Sequence, residues 1–454
     1  MARATARALA LALAWAATAW CAGGCSAVVN FHECNVSADC AGRGNGALVC
    51  NPDHQCVDTS PCHVSVEPTA PGTPLVIAGL YLLSQPSDGP NDHAIRQAVD
   101  LAAIELNTLT PVRHVACDTG GDPAVALRAL ELAVTQYRAV AVVGPDSSAE
   151  LIALAPEIRQ RGVAVVSPAA TAAAITDLVD DALVWRTCAS DNLQAKVLAT
   201  LVPKSASLDV VWVSPNLYAD GLQKAFIGAS GRTDATPIPF ATGMAAQAVS
   251  QMNAPAYAML IADFDAPALV EALHGAAGQS MTQYLMTDAA LTPTLWGGGP
   301  YDFAFLSRIR GTAPALPAFA DRSGPVYAAF DSSYRGKWKE SPTQTAFVAN
   351  AYDATWAIAI AAAAAGAAPT GRAIAANLGR MSDASGTAVQ IGPGEYQAGV
   401  NALDGGGTVD LVGASGPIDW DGNGDVLTMP TEVWQVAMGT GGVPTFKVLQ
   451  TVTP

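Results

Sequence analysis

A chain of 454 residues, half of them hydrophobic, exceeds one ordinary core and has ample apolar side chain to bury, so two to three domains are expected. Its 39 Asp and Glu outnumber 23 Lys and Arg, for a formal charge of -16. That balance argues against nucleic acid as a partner, since neutralising phosphates calls for clustered Lys and Arg, and the sequence has no basic run.

Arg3 and Arg7 precede the apolar run Ala8 to Ala19, which is too short for a stable bilayer anchor and has the build of an export signal. Residues 1–24 are therefore read as a signal peptide. The AGGC that follows, Ala22 to Cys25, resembles the lipobox of bacterial lipoproteins, which implies an acylated Cys25 at the mature N-terminus. Cleavage nearby with Cys25 unmodified or in a disulfide is the alternative.

Of nine Cys, Cys34, Cys40, Cys50, Cys56 and Cys62 are packed among Gly, Asn, Asp and Pro with no hydrophobic periodicity. In an exported chain this reads as a small disulfide-stapled module over 25–62. The spacing lacks the close C-x2-C pairs of structural zinc sites, and connectivity does not follow from it. Cys117 and Cys188, each near a strand end, form a candidate pair in the large domain. Residues 63–74, rich in Pro, read as a semi-extended linker.

From there strand-length apolar runs recur at Leu75 to Leu82, Val112 to Ala116, Ala139 to Val143, Val163 to Val166, Asp209 to Val213, Tyr257 to Ala262 and Tyr284 to Met286. Amphipathic segments separate most of them. Ile95, Ala98, Val99, Ala102 and Leu106 recur at helical spacing, as do Leu151, Leu154, Ala155 and Ile158. Strand, helix, strand with short loops predicts an α/β architecture of parallel sheets covered on both faces. The length exceeds one sheet of usual size, and the alternation restarts after Arg186 to Asp191, so two lobes are expected. Thr312 to Pro325 is read as a second crossing. The Ala-rich stretch Ala346 to Ala368 contains Asn350 and Asp353 and reads as a helix packed in a lobe, because an Asp near mid-bilayer is costly.

Within AVVGPDSS (Ala141 to Ser148) and VAVVSPAAT (Val163 to Thr171), small hydroxyl residues directly follow two buried-looking strands. At that edge of an open parallel sheet, helix N-termini present unpaired N–H groups and partial positive charge. Ser147, Ser148, Ala169, Ala170 and Thr171 thus read as a cradle for a small anion such as a carboxylate. Helix capping is the plainer use of either Ser.

These two motifs resemble the first-lobe signature of type I periplasmic solute-binding proteins, in particular the branched-chain amino acid binding proteins of ABC importers. WRTCASD (Trp185 to Asp191) resembles that family's strand into the first hinge. VWVSPNLYADGL (Val211 to Leu222) resembles its second-lobe strand and Tyr turn, with Ala219 where the family has Gly. AYDATWAIAIA (Ala351 to Ala361) resembles its long first-lobe helix, and ASGPIDWDGNGD (Ala414 to Asp425) its late Gly-Pro strand and turn.

The resemblance covers about residues 74 to 454. It implies a two-lobed type I periplasmic-binding fold, with lobe one from 75–190 and 314–427 and lobe two from 191–313 and 428–454. It further implies that Ser148, Thr171 and the backbone of Ala169 and Ala170 hold a ligand carboxylate. Tyr218 would close over the ligand from the second lobe, unless it simply packs at the lobe surface, and Asp288 would receive an ammonium group.

No cofactor or metal is expected. In DWDGNGD (Asp419 to Asp425) the first, third and fifth positions suit an EF-hand, but Pro430 stands where the closing Glu is required, so a tight turn is expected. Nucleophile-elbow and P-loop patterns do not occur, and the six His are scattered singly and read as surface or linker residues. The expected function is non-enzymatic: a lipid-anchored, exported receptor in the bacterial cell envelope that passes a small carboxylate-bearing solute, an amino acid or relative, to an ABC permease. Two rival readings are a sensor of the same fold and a surface interaction lipoprotein with a degenerate cleft.

Overall fold

The computed structural model describes residues 34–40, 48–50, 54–58, 60–86, 89–276, 281–297, 299, 301–315, 324–439 and 442–453. The expected signal peptide and Cys25 lie outside the described residues. The chain divides into two units, Met1–Ser60 and Pro61–Pro454.

In the first unit, strands Leu48–Cys50 and Cys56–Asp58 pair antiparallel, and two disulfides, Cys34–Cys50 and Cys40–Cys56, staple it. So few residues cannot build a core large enough to offset chain entropy, and covalent links take over that role.

The cysteine-rich stretch does not extend through Cys62, and the expected linker does not begin at His63. Strand β1, Cys62–Val66, pairs antiparallel with β3, Val112–Asp118, and Cys62 stands opposite Cys117, to which it is disulfide-bonded. The expected Cys117–Cys188 pair is therefore wrong. Cys188 follows the strand at the opposite edge of this sheet, and it is a buried free thiol.

Six strands form the first sheet, in the order β1-β3-β2-β4-β5-β6. The remaining four are β2 Leu75–Tyr81, β4 Ala141–Val143, β5 Ala164–Ser167 and β6 Val184–Arg186. All pairings but that of β1 are parallel. Helices α1 (Gly89–Leu106) and α8 (Val348–Ala364) pack on each other, as do α2 (Pro123–Thr135) and α3 (Ser148–Arg161). With helices on both faces, a strand such as β2 can be apolar at every position, which is why it reads as an unbroken hydrophobic run.

The second sheet has the order β8-β7-β9-β10-β11-β15-β16. Its strands are β7 Leu208–Val213, β8 Thr236–Phe240, β9 Tyr257–Ile261, β10 Gln283–Met286, β11 Ile309–Pro314, β15 Thr431–Met438 and β16 Pro444–Val452. The first five run parallel and the last two antiparallel. Helices α4 (Asp191–Thr200) and α5 (Leu217–Ser230) pack together beside it, as do α6 (Ala245–Gln251) and α7 (Ala266–Gly275). A small sheet of β12 Thr387–Gln390, β13 Val409–Gly413 and β14 Gly416–Pro417 completes the sheet structure.

The chain passes between the two large sheets after β6, after β11 and before β15. Two crossings bond to each other: Ala189 bridges Val426, and the Arg186 N–H donates to Gly424 O.

Helix α8 is buried along nearly its whole length, and two of its polar residues fasten it to neighbouring segments. Asn350 Nδ2 donates to Thr187 O at 2.6 Å while Thr187 Oγ1 donates to Asn350 O at 2.9 Å, tying the helix to the first crossing. Asp353 accepts from the Ala414 and Ser415 N–H groups and the Ser415 hydroxyl, which fastens the turn after β13. No described helix is long and apolar enough to cross a membrane. His114, read as a surface residue, is instead fully buried, between Asp100 at 2.6 Å and the Tyr81 hydroxyl at 3.1 Å.

Candidate functional site

The ends of β4 and β5 carry the two hydroxyl motifs. Gly144, just after β4, has φ +97, and a Cβ there would fall 2.5 Å from Leu80 O, so the turn into the motif requires glycine. Ser147 caps α3, its Oγ accepting from the Glu150 N–H at 3.4 Å. Ser148 Oγ accepts from the Ala172 N–H at 3.2 Å, which leaves its own O–H proton as a donor.

Beneath the second motif, Ser167 Oγ donates to Pro145 O at 2.7 Å and accepts from the Ala170 N–H at 3.0 Å. Ala170 thus has no free amide to offer, and its carbonyl accepts from Arg186. The expectation that Ala170 contacts a ligand is not met: it is a buried support for its neighbours. Arg186, wholly buried, fixes the loop by donating to the carbonyls of Ala170 and Ala172 and to Asp425 Oδ1 at 2.7 Å.

Ser147, Ser148, Ala169 and Thr171 from the first lobe line one cavity with Tyr218 and Asp288 from the second. Its volume is about 100 Å³. The strands that carry these residues end on the two sides of the gap between the sheets, so the cavity is interlobe. Tyr218, in the first turn of α5, donates to Asp288 Oδ1 at 2.7 Å, and both side chains are buried. Burial pushes the Asp288 carboxyl above its ordinary range, while the hydrogen bonds from Tyr218 and Gln194 pull it back. Burial likewise raises the Tyr218 phenol, reinforced by the nearby Asp288 charge.

Several lining residues went unrecognised in the sequence. Asp92, Asp146 and Asp263 add three carboxylates, and Phe264 and Phe347 add two rings. The Leu82 N–H donates to Asp92 Oδ2, anchoring the loop after β2. Asn216 Nδ2 donates to Asp263 Oδ2 at 2.8 Å. Asp146 lies inside the GPDSS motif already singled out, and Asp263 and Phe264 follow the end of β9, so strand-end position was the available signal.

Asp191 is a further missed carboxylate. It begins α4 at the first crossing, is wholly buried, and lines a recess of about 10 Å³ that shares Thr171 and Asp288 with the main cavity. Burial and the Asp288 charge push its carboxyl well up, with the Thr171 hydroxyl and Arg186 opposing.

The lobes also meet beside the cavity. Helices α3 and α5 lie against one another, and a Cβ on Gly121 of the first lobe would stand 3.5 Å from the Phe264 ring of the second.

A family model described as periplasmic binding protein matches residues 74–436. A chemotactic signal transduction system substrate-binding protein, BasB of Halobacterium salinarum, is 25% identical over 368 residues, covering 77% of this chain and 84% of that protein. Among solved structures, the leucine-binding protein LivK of Thermotoga maritima superposes with a TM-score of 0.67 at 22% identity, covering 84% of this chain and 99% of that one. A Rhodopseudomonas palustris ABC transporter solute-binding protein in complex with 4-hydroxybenzoate gives a TM-score of 0.65 at 13% identity, covering 84% and 97%. At these identities the two structures establish the fold alone.

Proposed function

We propose that this chain, which belongs to the periplasmic binding protein family, is an extracytoplasmic receptor that closes its two lobes on a small amino acid and delivers it to an ABC importer. One observation carries this reading: donors from one lobe, Ser148 and Thr171, and a carboxylate from the other, Asp288, line the same cavity. A zwitterion matches them. Its carboxylate would take the hydroxyl donors at the start of α3, where the helix terminus favours negative charge. Its ammonium would take Asp288, whose charged form the Tyr218 hydrogen bond favours. A solute that contacts both lobes binds the closed form better than the open one, and that difference drives closure. No reaction is proposed.

Lipid attachment at Cys25 would hold the receptor at the membrane. Palmitate labelling that survives in the wild type and vanishes in Cys25→Ser tests the anchor.

The chemotaxis relative favours a second reading, in which the closed form reports to a signalling partner. Calorimetric titration of the purified protein with single amino acids and benzoates tests the ligand class. Saturable heat from an amino acid is expected, and heat from benzoates alone would overturn the amino acid assignment. Uptake assays with and without a neighbouring permease would separate transport from sensing.

A further inference from the structure

Glu150 is a fully buried acid in the first turn of α3, directly after Ser147, Ser148 and Ala149, which line the interlobe cavity. Its Oε2 stands 3.0 Å from the Thr119 hydroxyl oxygen, which is also 2.9 Å from Tyr81 O. Its Oε1 has no well-formed hydrogen bond among the described residues.

Donors and acceptors around Thr119 fix the state of this acid. A threonine hydroxyl carries one proton, and a backbone carbonyl can only accept. With Glu150 ionised, both neighbours of Thr119 Oγ1 are acceptors, so one of the two close approaches holds no proton and a buried carboxylate is left short of donors, which is costly. With Glu150 protonated, the acid donates to Thr119 Oγ1 and Thr119 donates to Tyr81 O. Each close contact then holds a hydrogen. Burial favours the same state, pushing the carboxyl from 4.5 up to about 7, with Asp122 and Asp118 adding to the rise and the Thr119 hydroxyl and Gly121 N–H opposing it. Of the charged residues on the elements packed against α3, Arg128 and Glu131 of α2, Lys224 of α5 and Asp177 of the short helix Ala173–Asp177 are exposed. Asp220 of α5 is held by Trp212 and Asn216, and Asp146 precedes α3 on the cavity wall. No cation among these is set to hold Glu150 ionised.

The consequence falls on the solute. The start of α3 favours negative charge, and the solute carboxylate is seated there beside Ser148. An ionised Glu150 in the same turn would repel it through the interior, where screening by water is weak. We infer that the receptor holds Glu150 as the neutral acid when a carboxylate solute is bound, so that capture takes up a proton from solvent and weakens in alkaline medium. This rests on the amino acid reading above, through the carboxylate placed at α3. Linkage makes the effect mutual: the proton favours the solute, and the solute favours the proton by the same factor. Glu150 is a positioning residue, since it acts through the start of α3 and does not line the cavity.

The test begins with calorimetric titration of the purified protein with each standard amino acid. The tightest binder is then titrated at pH 6, 7 and 8 into the wild type and into Glu150→Gln, which can donate to Thr119 and cannot ionise. Between pH 6 and 8 the wild type should lose about fourfold or more in affinity relative to the variant. Asp288 and the other titrating groups are common to both proteins and cancel in that ratio. Titrating the wild type at pH 7.5 in phosphate and in Tris, whose heats of ionisation differ, counts the protons. About half a proton or more should be taken up per amino acid bound. Should the variant not fold, the wild-type proton count still decides the matter. Either an affinity ratio constant across pH or no proton uptake would overturn this inference and leave the amino acid receptor standing. Binding of no amino acid at any pH would overturn both.

Discussion

Tyr218 donates its hydroxyl to Asp288 at 2.7 Å from the first turn of α5, and so one second-lobe residue opposes the rise that burial imposes on the carboxyl of another. Removing the hydroxyl in Tyr218→Phe leaves a buried carboxylate oxygen short of a donor, a loss of about 1–3 kcal/mol. We expect amino acid affinity to fall roughly five- to a hundredfold, with the circular dichroism spectrum unchanged. The pH profile separates this from mere loosening. Asp288 is already raised by burial, so acidification protonates it and weakens ammonium binding. Without the Tyr218 hydrogen bond its pKa rises further, and the acid loss of affinity should begin at a higher pH than in the wild type. An unshifted profile would refute the role given to this pair.

Arg186 holds the first-lobe loop from below, bonded to Asp425, Thr176 and the carbonyls of Ala170 and Ala172. Replacing it with Met strands the largely buried Asp425 carboxylate and two carbonyls, which costs about 3–5 kcal/mol. Urea unfolding should report that loss, and Asp425→Asn alone should cost a similar amount. The double variant should fall well short of the sum, because the two side chains share one interaction. Strict additivity would mean that they act separately.

How much of this was legible in the sequence depends on how local each signal was. The hydroxyl motifs and Tyr218 could be read because each sits within a few residues of a strand end, where a parallel sheet exposes its binding edge. Asp288 lies equally close to the end of β10. Ala170 was misread because its amide is consumed by Ser167, three residues back, and nothing in a Ser-Pro-Ala-Ala string says which way that hydroxyl turns. Cys62 was assigned to the wrong unit because its partner is 55 residues away and the pairing depends on which strand lies at the sheet edge. Histidine 114 carries no local mark of burial at all: its partners Asp100 and Tyr81 come from α1 and β2.

Phe264 of the second lobe lies beside Gly121 of the first, whose φ is +85. Phe264→Ala should therefore leave the association rate nearly unchanged and speed release about tenfold or more, since contacts made only after closure act on dissociation. Gly121→Val should do the same and also destabilise the fold, because a β-branched residue is strained at that φ. Stopped-flow fluorescence gives both rates. A slower association with unaltered release would show that the ring acts on encounter and not on closure.

Glu432 stands in β15 next to the last crossing, only 3% exposed, and its Oε2 has no hydrogen-bond partner among the described residues. Burial alone pushes its carboxyl from 4.5 up to about 8. Between those values the folded protein keeps a proton that the unfolded chain has released, so stability falls as pH rises. The favourable contribution is complete below about pH 4.5 and is lost as pH climbs through 8. Glu432→Gln keeps the shape and cannot ionise. Its stability should match the wild type near pH 4 and exceed it by about 3–5 kcal/mol above pH 9. Asp353 and Glu150, each pushed up to about 7 by burial, impose a slope of the same sign on both proteins. The difference between the two unfolding curves across pH therefore isolates Glu432, and a difference that stays flat from pH 4 to 9 would show that this carboxylate is solvated in the folded state.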